Sequence, residues 1–302
     1  MTLRVEPEPY RGVISTGSLG LDAAIGIGGI PCGRITEIYG REASSKTTLA
    51  LHVVREAQKL GKTAAFVDTE YSFNESYAQS FGVNTEELMR LEPDTGESAL
   101  QCMESVIEAG VDVAVLDSVA ALVPKDEFEG VEGQKHMALL ARLMSQAMRM
   151  LVGRIAESGT AVIFINQIRK NVGILWGNPE FTPGGMALKF YDALRIEVRR
   201  VAYIMNPDKT VRRGDHIVAT ITKNKFAPPH RSAEFDVLYG RGISREYELL
   251  RLGERQGIIT KSGPYYRYGE TELGRGFEAA VQFLTEHRDV HIHLTSAIQS
   301  TL

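Results

Sequence analysis

The chain predicts an α/β fold, a mostly parallel central sheet flanked by helices, followed by a small α+β C-terminal domain. Three observations carry that prediction. Apolar strand-like runs alternate with longer helical patterns, which is the signature of βαβ units. One such run, Arg34 to Tyr39, enters a loop from Gly40 to Thr47, and a helical pattern leaves it. Near Tyr239-Gly240-Arg241-Gly242 the pattern changes to a short helix, a Gly-Pro turn, an aromatic strand and a further helix, a unit of about 60 residues and within the usual domain range. The expected organisation is a short N-terminal segment over residues 1–13, a large core over 14–240 and a small domain over 241–302.

Taken in order, four strands are expected at Ile35–Tyr39, Thr63–Asp68, Val113–Asp117 and Ala161–Asn166. Helical periodicity places helices over Lys46–Leu60, Ala99–Ala109 and Met137–Ser158. Two later runs, Ala193–Arg200 and His216–Asn224, read as antiparallel additions to the sheet. The turn at Gly263-Pro264 and the strand Tyr265–Tyr268 belong to the small domain. No internal repeat or low-complexity tract interrupts this order.

Composition narrows the function classes. At 302 residues the chain has material for a large buried core. It is 43% hydrophobic and 24% charged, and no apolar run approaches the roughly 20 residues that span a bilayer, so no membrane role is expected. The N-terminal residues lack a basic start followed by an apolar core, which makes the cytoplasm the expected location. Cys32 and Cys102 are the only cysteines, too few for a disulfide framework or a zinc site. A net charge of −4 gives no global attraction to nucleic acid, so any such binding needs a local basic surface.

The loop Gly40-Arg41-Glu42-Ala43-Ser44-Ser45-Lys46-Thr47 reads as a phosphate-binding loop with one departure: the pattern G-x-x-x-x-G-K-[ST] has glycine where this chain has Ser45. A strand feeding a loop that opens a helix aims backbone N–H groups at bound phosphates, and the helix dipole adds to the attraction. Thr48 continues the same turn. Val113-Ala114-Val115-Leu116-Asp117 delivers a carboxylate at the carboxyl end of a strand, where open α/β sheets hold ligands. Beside a phosphate loop, Thr47 and Asp117 suit a magnesium ion, held directly or through water. Phe66-Val67-Asp68-Thr69-Glu70 is a second strand ending in acid; Glu70 is either a base for an attacking water or a solvated strand-end charge.

The order of motifs resembles the bacterial RecA homologous-recombination protein family over roughly Ile14 to His287. The resemblance rests on Ile14-Ser15-Thr16-Gly17-Ser18-Leu19-Gly20-Leu21-Asp22, Leu116-Asp117-Ser118-Val119-Ala120-Ala121-Leu122, Phe164-Ile165-Asn166-Gln167-Ile168-Arg169, Gly184-Gly185-Met186-Ala187-Leu188-Lys189-Phe190-Tyr191 and Lys223-Asn224-Lys225. It implies a RecA-type P-loop ATPase core that uses ATP and magnesium and self-associates into a helical homo-oligomer or filament. Its DNA partners are single-stranded DNA and a homologous duplex. By resemblance, Lys46 and Thr47 engage phosphates and magnesium, Asp117 supports the metal, and Glu70 acts on water. Tyr77 packs on adenine, Gln167 senses the γ-phosphate, and Lys223 and Lys225 reach the neighbouring subunit's ATP. Lys189, Phe190 and Arg195 fall at the implied subunit interface.

Two glycine-containing loops carry the DNA expectation. The first, Glu127 to Met137, precedes a helix on which Arg142 and Arg149 stand seven residues apart and so share a face; that face either tracks a phosphate backbone or is simply solvated. The second, Arg169 to Gly185, combines Arg169 and Lys170 with Val172, Gly173, Ile174, Trp176, Gly184 and Gly185. Basic residues there hold phosphates while apolar ones insert between bases, a mode that tolerates any sequence. Trp176 has a second reading as a buried anchor.

The chain departs from the family pattern at Ser45, at Arg41 where proline is usual, and at Met186 where asparagine is usual. Few residues precede Ile14, so the family's N-terminal docking helix is not expected, nor is an acidic C-terminal tail. Two other readings stay open, the first of them favoured by these departures. One is an ATP-binding, weakly hydrolysing accessory protein that modulates a recombinase filament; the other is a nucleotide-switched scaffold with no DNA role.

Overall fold

A computed structural model describes residues 11–125, 136–170, 180–206 and 208–302. The first DNA loop, through residue 135, therefore lies outside the described residues, as do the side chain of Met137 and Val172, Gly173, Ile174 and Trp176 of the second.

A short ladder, β1 (Val13–Ile14) with β2 (Ile30–Pro31), brackets helix α1 (Leu19–Ile25). The core then runs β3 (Ile35–Gly40), α2 (Lys46–Lys59), β4 (Ala64–Asp68), α3 (Glu75–Ser80), β5 (Leu88–Leu91), α4 (Gly96–Glu108) and β6 (Val113–Asp117). It continues through α5 (His136–Ser158), β7 (Ala161–Gln167), a small ladder of β8 (Arg169–Lys170) with β9 (Glu180–Phe181), and α6 (Ala187–Tyr191). Long strands β10 (Leu194–Met205) and β11 (Arg212–Asn224) follow, then β12 (Ser232–Leu238) and β13 (Gly242–Ile243).

Nine strands make one sheet in the order β13-β12-β11-β10-β3-β7-β6-β4-β5. The six from β10 to β5 are mutually parallel, and β11, β12 and β13 extend the sheet antiparallel. The expected antiparallel placement of Ala193–Arg200 is thus corrected: β10 runs parallel to β3, with Leu194 opposite Thr36 and Val198 opposite Gly40. The reason is the crossover through α6, which carries the chain back before β10 begins, so that only its partner β11 turns by hairpin.

Both sheet faces are covered, which explains strands that are apolar at every position. In β7, Ala161, Ile163 and Ile165 face a core shared with Leu49, Ala50, Val53 and Val54 of α2. Val162 and Phe164 point to the other side, against Met103 and Ile107 of α4 and Met144, Met148, Leu151 and Ile155 of α5. The period of two along the strand meets the period of 3.6 along each helix.

The C-terminal unit contains α7 (Arg245–Arg255), a three-stranded sheet of β14 (Ile259–Ser262), β15 (Tyr265–Tyr268) and β16 (Thr271–Arg275), and helices α8 (Phe277–Glu286) and α9 (Arg288–Gln299). Its own core gathers Leu249, Leu250, Ile259, Tyr266, Leu273, Leu284, Leu294 and Ile298. Glu248 of α7, fully buried, ties this unit to the first. Its carboxylate accepts from Ser18 Oγ at 2.5 Å, Leu19 N at 3.0 Å and Gly20 N at 2.8 Å, so it sits on the N-terminus of α1. Among the described residues no helix is long and apolar enough to cross a membrane.

Candidate nucleotide and DNA site

Four parts of the expected nucleotide site lie at the carboxyl ends of parallel strands, because those strands share one direction. The phosphate loop follows β3, Glu70 follows β4, Asp117 ends β6 and Gln167 ends β7. Gly40 is required where it stands: a Cβ there would lie 2.1 Å from Val198 O. The loop then turns through two left-handed residues, Ala43 at φ 52° and Ser45 at φ 66°. Ser45 is the N-cap of α2 and its side chain makes no capping bond, which leaves N–H groups at that helix end available to an anion. Arg41, Glu42 and Ala43 are exposed, whereas Ser44, Lys46 and Thr48 are buried.

The loop is held by its own polar groups. Lys46 Nζ donates to Arg41 O at 2.8 Å, as does Ser44 Oγ at 2.8 Å, and Arg200 Nη1 donates to Ala43 O at 3.1 Å. Burial lowers the Lys46 pKa, opposed by the charges of Asp117, Glu70 and Glu42. Thr47 Oγ1 donates to Asp117 Oδ2 at 2.5 Å. Burial drives the Asp117 carboxyl up to about 7, with the Thr47 hydrogen bond opposing and the Glu70 charge adding to the shift. Such a buried carboxylate beside a threonine hydroxyl and a phosphate loop fits a divalent cation, whose charge would reverse that shift.

Glu70 is exposed at the rim, and its carboxylate is oriented from two sides. It accepts from Ser118 Oγ at 2.5 Å and from Gln167 Nε2 at 2.7 Å. Tyr77 OH lies 3.0 Å from Thr48 Oγ1, and its ring packs edge-on against Phe81.

Two further residues, not expected from the motifs, arrange this site. Asp68, buried, accepts from Glu70 N at 3.0 Å and Phe73 N at 2.8 Å and so sets the turn carrying Glu70. Asn166, also buried, donates to Glu37 Oε1 at 2.9 Å and to Pro183 O at 3.1 Å, joining β7 to the end of the second loop. Both stood inside recognised motifs, and only their polarity within apolar runs signalled a role.

Lys223 Nζ donates to Asp192 Oδ1 at 2.5 Å and to Lys189 O at 2.6 Å within its own chain, while Lys225 is exposed. Arg195 lies inside the chain's own carboxylate cluster: its guanidinium pairs with Glu37 and Asp192 and stacks over Tyr39 at 4.4 Å. Burial raises the Asp192 carboxyl to about 7. Lys189 is half-buried and Phe190 is 69% exposed.

Of the residues expected to contact DNA, Arg142 and Arg149 are both exposed on α5, as are Arg169 and Lys170 on β8. Arg169, Lys170, Phe181, Gly184 and Gly185 border a cleft of ≈ 440 Å³ with Ala120 and Leu140. A Cβ at Gly185 would meet Ala141 Cβ at 2.7 Å, so the loop's end packs directly on α5.

A parallel sheet with these groups at one edge defines a phosphate-loop nucleotide-binding protein. Two family models match the chain, RecA N-terminal domain over residues 1–244 and RecA C-terminal domain over 247–302. Protein RecA of Gluconobacter oxydans is 49% identical over 301 residues, covering 99% of this chain and 87% of that protein. Protein RecA of Bacillus subtilis is 51% identical over 300 residues, covering 99% and 86%. A solved structure of the RadB recombinase has the same fold, with a TM-score of 0.58 at 24% identity over 76% of this chain and 98% of that one. The chain belongs to the RecA family.

Proposed function

We infer that this chain is an ATP-dependent DNA recombinase that assembles into filaments on single-stranded DNA and promotes homologous pairing and strand exchange. One observation carries the reading: Lys46, Thr47, Asp117, Glu70 and Gln167 converge at one sheet edge, and Gln167 stands three residues before Lys170 at the root of the second loop. Nucleotide state and DNA contact are therefore set by adjoining backbone.

In this reading Lys46 and the N–H groups opening α2 hold the phosphates of ATP. Magnesium, when bound beside Thr47 and Asp117, neutralises charge on the phosphates. Glu70, oriented by Ser118 and Gln167, positions and accepts a proton from the attacking water. Gln167 senses the γ-phosphate because its amide already bonds to Glu70 and moves with it. Tyr77 packs on adenine from a ring braced by Phe81. Lys223 and Lys225 act across a subunit interface that includes Lys189, Phe190 and Arg195. For Lys223 and Arg195, that role requires exchange of their present bonds to Asp192 and Glu37.

Arg142, Arg149, Arg169 and Lys170 supply phosphate contacts to DNA. Hydrolysis is slowed by Ser45, whose Cβ stands at a left-handed φ beside the phosphates. That strain also supports a second reading, an ATP-holding accessory protein that modifies another recombinase's filament.

Strand exchange between a single-stranded circle and a homologous linear duplex tests the reading. Wild-type protein with Mg-ATP yields joint molecules and a Lys46→Ala variant yields none. No joint molecules from the wild type, together with retained ATP binding, would favour the accessory reading.

A further inference from the structure

One unassigned contact joins the phosphate loop to the returning end of the second loop. Arg41, second residue of the phosphate loop, places Nη2 2.6 Å from Oε1 of Glu180. Glu180 is the first residue of β9 and pairs across the small ladder with Lys170, so it stands at the returning root of the second loop. Glu180 faces Arg41, Lys170 and Arg199, and the Arg41 hydrogen bond holds its carboxyl below the usual range. The backbone of Arg41 is equally engaged: its carbonyl takes the hydrogen bonds of Lys46 Nζ and Ser44 Oγ. One residue thus holds the phosphate-binding lysine by its carbonyl and the second loop by its guanidinium.

We propose that Arg41 and Glu180 form a positioning latch that carries displacement of the phosphate loop to the second loop, alongside the route through Gln167. The route is physically separate. Gln167 acts through β7 and the departing strand of the second loop, whereas Glu180 lies on the returning strand. A shift of the Arg41 backbone when phosphate oxygens draw Lys46 away from its carbonyl would move Glu180 with it. The Arg41 side chain is 66% exposed, and an exposed ion pair shifts an equilibrium by only about two- to five-fold. Such a contact is too weak to hold the fold together and is strong enough to bias two loop positions. Its exposed setting also makes it sensitive to ionic strength.

This inference rests on the recombinase reading, and the experiment separates the two. The readout is the ratio of affinities for a fluorescent oligo-dT measured with a non-hydrolysable ATP analogue and with ADP. Glu180→Gln lowers that ratio about two- to five-fold and leaves DNA-free ATP turnover unchanged. Arg41→Glu lowers it further by placing like charges together. The charge-swapped double variant, Arg41→Glu with Glu180→Arg, recovers most of the wild-type ratio, which a purely structural role for either residue would not predict. Single variants with the wild-type ratio, or a double variant no better than Arg41→Glu, overturn the latch while the function stands. A wild-type ratio of one overturns nucleotide-gated DNA binding, and the latch with it.

Discussion

Ser45 holds a φ of 66°, a region that side chains with a Cβ enter at a cost of about 1 kcal/mol. The loop keeps that turn because the flanking contacts of Lys46, Ser44 and Arg200 hold it. Replacing Ser45 with glycine removes the Cβ and relieves the strain. Ser45→Gly is therefore expected to raise DNA-stimulated ATP turnover several-fold with little change in nucleotide affinity. Equal turnover in the two proteins would show that Ser45 does not limit hydrolysis. His52, seven residues further along on α2, makes a different kind of demand. Its Nε2 accepts from Ile243 N at 2.8 Å, and the ring stacks on Phe81 at 4.8 Å. Burial, reinforced by the charges of Arg55 and Lys59, lowers its pKa well below 6.5. With the folded value depressed, the fold is most stable above the unfolded value and loses stability as pH falls below it. Urea midpoints at pH 7.5 and 5.5 measure this. His52→Gln keeps an acceptor without the titration and shows the smaller acid loss; an unchanged loss would assign the acid sensitivity elsewhere. At this scale spacing made Lys46, Thr47 and Asp117 legible. Asp68 and Asn166 were not, because their partners are backbone and buried groups that only the folded chain brings near.

Among elements, the join between the two units depends on Glu248 in α7, whose carboxylate caps α1. Glu248→Ala leaves the N–H groups of Leu19 and Gly20 without that acceptor in a buried site, a loss of about 2–3 kcal/mol. Limited proteolysis is expected to cut the variant faster between β13 and α7. Wild-type cleavage rates would mean that apolar packing alone holds the units. The basic groups on α5 and β8 make a separate prediction. If Arg142 and Arg169 contact phosphates, each alanine variant weakens oligonucleotide binding and flattens the log–log salt slope by about 0.7. A parallel, unshifted salt plot would remove that residue from the DNA surface. Most strands and helices were readable from period and punctuation, since a doubly covered strand must be apolar throughout. The direction of β10 was not, because apolar patterning is the same for parallel and antiparallel neighbours and only the crossover through α6 decides between them.

For the whole molecule, the decisive feature is shared strand direction. Six parallel strands bring the phosphate loop, Glu70, Asp117 and Gln167 to one edge, and the second loop starts from that edge. The sequence made this architecture legible through motif order. It did not reveal how closely the site is tied to its surroundings, such as the Arg41 contact to Glu180 or the enclosure of Arg195 and Lys223 by Glu37 and Asp192. Those ties form only after the sheet closes. Whether DNA and ATP occupy one coupled site is tested by ATP turnover titrated with single-stranded DNA while filaments are followed by electron microscopy. Turnover is expected to rise with DNA, to fall at high salt and to be lost in Lys46→Ala, with filaments present wherever turnover is stimulated. Turnover indifferent to DNA, with no filaments at saturating Mg-ATP, would contradict that coupling.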